Sequence, residues 1–279
     1  MNLFHWNPEI VDIKTKAALP KVIQLTDPHI FKTEQGCLLG LNTRHSLAAV
    51  LADIRTNHLD ADLILASGDI SQDHSSESYQ HFAEQMDSLG IPVAWIPGNH
   101  DTNDQMVNNL IGNNIITNKR ITIGDWEIVL LDSSVENAVY GCLGAKQLAF
   151  LQQALETTQC SYVVPVLHHH PVDVGCEWME PIGLHDAEDF WPVVEQSDLV
   201  KAVLWGHIHQ DFDQQRGGIR LLATPSTSVQ FKPGSSNFSA GQESPGYRSL
   251  QLQNDGQIQS QVYRIEHIEF TVDYTVKGY

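Results

Sequence analysis

An α/β fold built from two facing sheets with helices outside is what the sequence predicts, and three observations predict it. Through the first two thirds of the 279 residues, apolar runs of strand length alternate with segments whose apolar residues recur at helical spacing. From Asp211 onward the pattern becomes β-rich, with Gly-containing turns. Clusters of Asp, Asn and His fall almost all where a predicted strand runs into a loop, and ligands of open α/β sheets sit beyond the carboxyl ends of strands.

The elements follow in order. Lys21 to Thr26 reads as a short buried strand and Asp27 to Leu41 as a loop. Thr43 to Asn57 carries Leu47, Val50, Leu51 and Ile54, a helical stripe. Asp62 to Ala66 is a strand, Glu77 to Leu89 a helix, and Pro92 to Ile96 a strand ending at Pro97-Gly98. Ile121 to Ile123 and Glu127 to Leu131 form a hairpin around Gly124-Asp125. Ala145 to Glu156 is helical through Leu148, Leu151 and Leu155, Ser161 to Leu167 is a strand, Ala187 to Glu195 a short helix and Ala202 to Trp205 a strand. Phe212 to Gln215, Ile219 to Ala223, Ser249 to Leu252 and Gln257 to Arg264 read as antiparallel strands. Lys232 to Gly246, rich in Gly, Ser and Pro, is a surface loop. This organisation assigns residues 1–265 to a single domain and leaves 266–279 as a tail of no assigned role.

Bulk properties exclude several classes. Hydrophobic residues make up 42 % of the chain, enough for a core. The formal charge of −18, with no extended basic cluster, argues against a nucleic acid polymer as partner. An acidic protein that handles a phosphate needs local positive charge, which bound divalent ions provide. Met1 to Lys16 lacks the apolar core of a secretory signal, and no stretch approaches the ~20 apolar residues of a membrane span. Cys37, Cys142, Cys160 and Cys176 show no C-x-x-C spacing and read as reduced thiols of a cytoplasmic protein, monomeric or homodimeric.

Five short segments carry the chemistry. In Asp27-Pro28-His29 an extended backbone points residues two apart the same way, so both side chains can grip one ion; a turn with a solvated Asp is the alternative. His207-Ile208-His209 repeats that geometry behind Gly206. Asp69, after Ser67-Gly68, is a carboxylate at the end of a buried strand, or a helix cap. In Gly98-Asn99-His100-Asp101, Asn99 offers a neutral oxygen ligand, His100 can reach substrate, and Asp101 can accept a hydrogen bond from His100 and hold it as imidazolium. In His168-His169-His170-Pro171 three adjacent imidazoles are costly to bury without partners, and alternation sets His169 opposite the other two. Carboxylate, amide and imidazole without Cys suit Mn, Fe or Zn.

Together these segments resemble the calcineurin-like metallophosphoesterase superfamily, whose pattern runs D-x-H, G-D, G-N-H-[DE], H and G-H-x-H. A narrower similarity is to the bacterial class III 3′,5′-cyclic AMP phosphodiesterases, carried by Leu167 to Pro171, Gly206 to Gln210, Leu222 to Thr227, Val229 to Pro233 and Ser244 to Arg248. The resemblance implies a four-layer α/β/β/α sandwich with two mixed sheets and a binuclear site at one end. It implies one metal on Asp27, His29, Asp69 and His209 and a second on Asp69, Asn99, His169 and His207, with Asp69 bridging. His169 is the choice because the family places that ligand two residues before the proline. The metals implied are Fe or Mn first, with Zn or Mg as alternatives.

The expected reaction is hydrolysis of 3′,5′-cyclic AMP to 5′-AMP by a hydroxide held between two metals, with His100 and Asp101 as the catalytic pair. Substrate contacts are expected from His29, Asp69, Asn99, His100 and His209, and the loops Phe31 to Arg44 and Lys232 to Gly246 are expected to flank the pocket. The same core serves phosphomonoesters, 2′,3′-cyclic nucleotides, glycerophosphodiesters and nucleotide pyrophosphates, because a fold does not fix a substrate. A non-catalytic scaffold is disfavoured by the intact His100, and a membrane-surface lipid pyrophosphatase by the lack of a docking surface.

Overall fold

The computed structural model describes residues 7–278. Residues 1–6, part of the segment read as lacking a secretory core, and the last residue of the tail lie outside the described residues. The elements run β1 (Asn7–Ile13), β2 (Lys21–Leu25), the short pair β3 (Cys37–Leu38) and β4 (Leu41–Asn42), α1 (Thr43–Asn57), β5 (Leu63–Ala66), α2 (Ser76–Asp87) and β6 (Val93–Trp95). Next come α3 (Asn103–Asn109), β7 (Ile115–Ile116), β8 (Asn118–Ile123), β9 (Trp126–Leu130), α4 (Gly144–Thr157), β10 (Tyr162–Val166), α5 (Ala187–Glu195) and β11 (Ala202–Trp205). The chain then adds β12 (Phe212–Arg216), β13 (Ile219–Ala223), β14 (Gly246–Leu252) and β15 (Ile258–Arg264).

Two mixed sheets result. One has seven strands in the order β1, β8, β9, β10, β11, β13, β12, and the other six in the order β15, β14, β2, β5, β6, β7. Side-chain alternation on these strands makes the layers. In the six-stranded sheet Val22, Leu63 and Leu65 face the other sheet, while their neighbours Ile23, Ile64 and Ala66 face α1 and α2. In the seven-stranded sheet Ile128, Val164, Val166 and Leu204 face inward, and Val129, Val163 and Val203 pack against α4 and α5. Helices therefore cover both outer faces and apolar side chains fill the space between the sheets, the α/β/β/α layering that was expected.

Three features depart from the sequence reading. β1 was not expected: its residues are mostly exposed and it exists through parallel pairing with β8 at the sheet edge. The segment Asp27 to Leu41 contains the pair β3–β4. The four carboxyl-terminal strands divide between the sheets, and β13 pairs parallel with β11 as well as antiparallel with β12. α1 starts where Asn42 accepts a hydrogen bond from the His45 amide at 2.8 Å, a side-chain cap. Among the described residues no helix is long and apolar enough to cross a membrane.

Candidate metal centre

The five segments meet at one end of the sandwich. Asp27 and His29 follow β2, Asp69 follows β5, Asn99 and His100 follow β6, His168 to His170 follow β10, and His207 and His209 follow β11. Asp27, His29, Asp69, His168, His169 and His209 are at most 1 % exposed. The backbone there is not extended, which corrects the expected basis of the D-x-H and H-x-H pairs. Asp27, His29, Asp69, His207 and His209 all take positive φ, between 48° and 64°. Left-handed backbone costs a non-glycine residue about 1–2 kcal/mol, so five such residues in one cluster mark a site held by its surroundings. Two glycines permit the crowding. A Cβ on Gly98 would overlap the Asp69 carboxylate, and one on Gly206 would overlap the Thr26 hydroxyl.

Each carboxylate turns one oxygen toward imidazoles, and the His207 amide also reaches Asp27 Oδ1 at 3.3 Å. Asp27 Oδ2 accepts from the Thr26 hydroxyl at 2.6 Å and the His207 amide at 3.0 Å. Its Oδ1 faces His209 Nε2 at 3.2 Å and His168 Nε2 at 3.9 Å. Asp69 Oδ1 accepts from the His100 amide at 2.7 Å, and its Oδ2 lies between His168 Nε2 at 3.3 Å and His29 Nε2 at 3.8 Å. Burial opposes ionisation of Asp69, but the imidazoles of His168 and His100 outweigh it and hold the carboxyl well below its usual range.

The imidazoles on one side are oriented by acceptors. His29 Nδ1 donates to Gln72 Oε1 at 2.6 Å, and His209 Nδ1 donates to the Val229 carbonyl at 2.7 Å. Those bonds fix the tautomers, so the two Nε2 atoms, 3.1 Å apart, turn lone pairs toward one another beside Asp27. A metal cation suits that arrangement. Burial pushes His29 down to about 3, so its ring is neutral at neutral pH.

On the other side, His168 Nδ1 donates to the Ser67 carbonyl at 2.7 Å. His207 Nε2 and Asn99 Oδ1 are buried and have no hydrogen-bond partner among the described residues, while His168 Nε2 faces the Asp69 and Asp27 carboxylates. Burial lowers His207 well below its ordinary value. Burial also opposes charge on His168, but the neighbouring Asp69 and Asp27 carboxylates raise it to about 9. Two orphaned ligand-type atoms beside the His168 imidazole and two carboxylates fit a metal ion. Ligand atoms of Asp27, His29 and His209, of His168, His169 and His207, and of Asp27, Asp69 and His168 each lie within 4.8 Å of one another.

Two residues sit differently from expectation. His169 has both ring nitrogens engaged, Nδ1 with the Ser133 hydroxyl at 2.8 Å and Nε2 with the Val139 carbonyl at 3.1 Å. His168 turns Nε2 toward the Asp69 and Asp27 carboxylates at the centre of the cluster. Asp101 accepts from the amides of Ile70, Ser71 and Gly98 and from the Tyr79 hydroxyl, all at 3.0–3.1 Å. It ties the β5 and β6 turns together instead of steering the His100 ring. His100, partly exposed, lies with its ring 5.0 Å from that of His29 and nearly perpendicular to it. Thr26, Gln72, Ser67 and Val229 orient the cluster, and sequence reasoning did not find them. For His168 a signal existed: it continues the parity of Val164 and Val166, which face the opposite sheet.

Residues 20–211 match the family described as calcineurin-like phosphoesterase. The chain is 41 % identical over 258 residues to a 3′,5′-cyclic adenosine monophosphate phosphodiesterase, CpdA, of Pseudomonas aeruginosa, covering 92 % of this chain and 94 % of that protein. It is 42 % identical over 260 residues to the protein of the same name from Escherichia coli (strain K12), covering 93 % and 94 %. Among solved structures, a dimetal phosphatase from Danio rerio shares the fold with a TM-score of 0.58 at 13 % identity, covering 88 % of this chain and 99 % of that one.

Proposed function

The chain belongs to the calcineurin-like phosphoesterase family, and on that premise we propose that it hydrolyses 3′,5′-cyclic AMP to 5′-AMP at the Asp/His cluster. The observation that carries the substrate is the 41–42 % identity, over nearly the full length of both chains, to relatives named for that activity. Fe or Mn is the metal in this reading, with Zn or Mg as alternatives, since oxygen and imidazole donors suit all of them. Asp27, His29, Asp69 and His209 would hold one ion, and Asp69, Asn99, His168 and His207 the other, with Asp69 shared. His168 takes the place the resemblance gives to His169, because its Nε2 faces the Asp69 and Asp27 carboxylates while the nitrogens of His169 are engaged with Ser133 and the Val139 carbonyl.

Two such ions, when bound, supply Lewis acidity at the phosphodiester oxygens and lower the pKa of water. The chain's own residues do the rest. Asp101 fixes the turns that carry Asp69 and His100, and the Asp69 carboxylate anchors the His100 amide at 2.7 Å. His100 stands at the partly exposed edge of the cluster, where its imidazole delivers a proton to the departing ribose 3′ oxygen.

His100→Ala tests this assignment. Metal content by elemental analysis stays at the parent level, and turnover of cyclic AMP falls about 10²–10⁴-fold. A parallel loss of metal would make His100 a ligand. Assay against 2′,3′-cyclic AMP, a glycerophosphodiester and p-nitrophenyl phosphate tests the substrate: any of these outpacing 3′,5′-cyclic AMP overturns the reading.

A further inference from the structure

We propose that the carboxyl-terminal tail, residues 266–278, is a clamp that positions His209 and so sets the affinity of one metal half-site; the inference rests on reading His209 as a ligand. Ile268, Phe270 and Val272 are half-buried while Glu269, Thr271 and Asp273 between them are exposed. That period of two describes an extended strap with one apolar face down. Phe270, Val272 and Val276 pack on a small separate core of Leu38, Leu39, Leu41, Val229 and Ala240.

The strap grips a strained turn. Leu39 and Gly40 join β3 to β4 with φ of 46° and 84°. Leucine seldom accepts that conformation, and the Asp273 amide holds it by donating to the Leu39 carbonyl at 2.7 Å. Phe270 adds a ring contact with His45 at 5.8 Å, on the first turn of α1.

The same small core reaches His209 by two routes. Val229, a member of it, supplies the carbonyl that accepts from His209 Nδ1. Phe231 stacks flat on the His209 ring, with centroids 4.0 Å apart and planes 4° apart. Phe238, packed against the core, meets Phe231 at 5.4 Å. Both restraints on the ring thus come from the segment 229–238: Val229 lies in the small core that the tail packs on, and Phe231, part of the core against α4 and α5, meets it through Phe238. The other half-site has different supports: His168 leans on Ser67, and His207 lies among His168, His169 and His170. Loosening the tail therefore frees the His209 ring and leaves the His168–His207 side in place. A partner that orients a ligating imidazole is worth 10–100-fold in metal affinity.

The test is calorimetric titration of metal-free protein with Mn2+. In the parent, two binding steps are expected, and His209→Ala identifies which step depends on that ring. In a chain ending at Ile265, and independently in full-length Phe270→Ser/Val272→Ser, that step weakens about 10-fold or more while the other holds. Far-UV circular dichroism stays at the parent level, and Phe270→Leu restores the step. Equal weakening of both steps, or no weakening of either, overturns the clamp. A parent with fewer than two steps, or a His209→Ala variant with both intact, overturns the metal reading and the clamp with it.

Discussion

Buried charge is handled in opposite ways at two places in this molecule. Lys119, fully buried between the sheets, donates to the Trp95 carbonyl at 2.6 Å and lies 3.5 Å from the centre of the Trp95 ring. Its compensation is built into the chain, from a carbonyl dipole and a π face. At the strand ends, Asp27 and Asp69 each keep one oxygen facing imidazoles, and His207 and Asn99 each aim a buried polar atom at no protein partner among the described residues. A buried charge satisfied from within belongs to the architecture; buried lone pairs left over mark where something from outside is required.

The largest expected effect comes from the carboxylate both half-sites share. Asp69→Asn abolishes both Mn2+ binding steps and cyclic AMP turnover, and at neutral pH it also lowers the thermal stability of the metal-free protein, because the buried His168 imidazole loses the carboxylate that supports its charge. Retention of both Mn2+ steps in that variant would remove Asp69 from the shared position and erase the contrast. Next is the choice between neighbouring imidazoles. His168→Ala weakens one Mn2+ step by more than the roughly 10–100-fold that an orienting partner is worth, and His169→Ala stays within that range. The reverse order would return the ligand position to His169.

The smallest effect is at Lys119. Burial lowers its ammonium to about 7, against 10.5 for an exposed lysine. The folded state therefore sheds the proton more readily than the unfolded one, and between about pH 7 and 10.5 the unfolded state binds more protons. Lys119 thus makes stability rise with pH across that window and is most destabilising below it. Lys119→Met flattens this component of the stability–pH profile, raises stability at pH 7 by about 1 kcal/mol or more, and leaves Mn2+ titration and turnover unchanged. A loss of metal binding in that variant would merge the two regions into one.

Legibility varied with how local the cause was. Helix α1 was legible because its apolar stripe of Leu47, Val50, Leu51 and Ile54 is written within a few turns of chain. β11 and β13 were equally plain, as short apolar runs between turns. β1 was not, since a mostly exposed edge strand carries little apolar signal and is defined by its partner β8. The tail's alternation of Ile268, Phe270 and Val272 was present in the sequence, but what it covers is a turn some 230 residues earlier in the chain.

By itself the sequence determined the layering, the family resemblance and the seven strand-end residues assigned to metal, six of which remain in the proposed ligand set. These follow from periodicity and from residue types at fixed spacing, which survive without coordinates. Only the tertiary structure decided that His168 turns its Nε2 toward the two carboxylates, that Asp101 binds backbone amides, and that the Asp and His pairs converge through left-handed turns. Ring orientation is set by acceptors such as the Ser67 and Val229 carbonyls, which arrive from distant parts of the chain and have no sequence signature of their own.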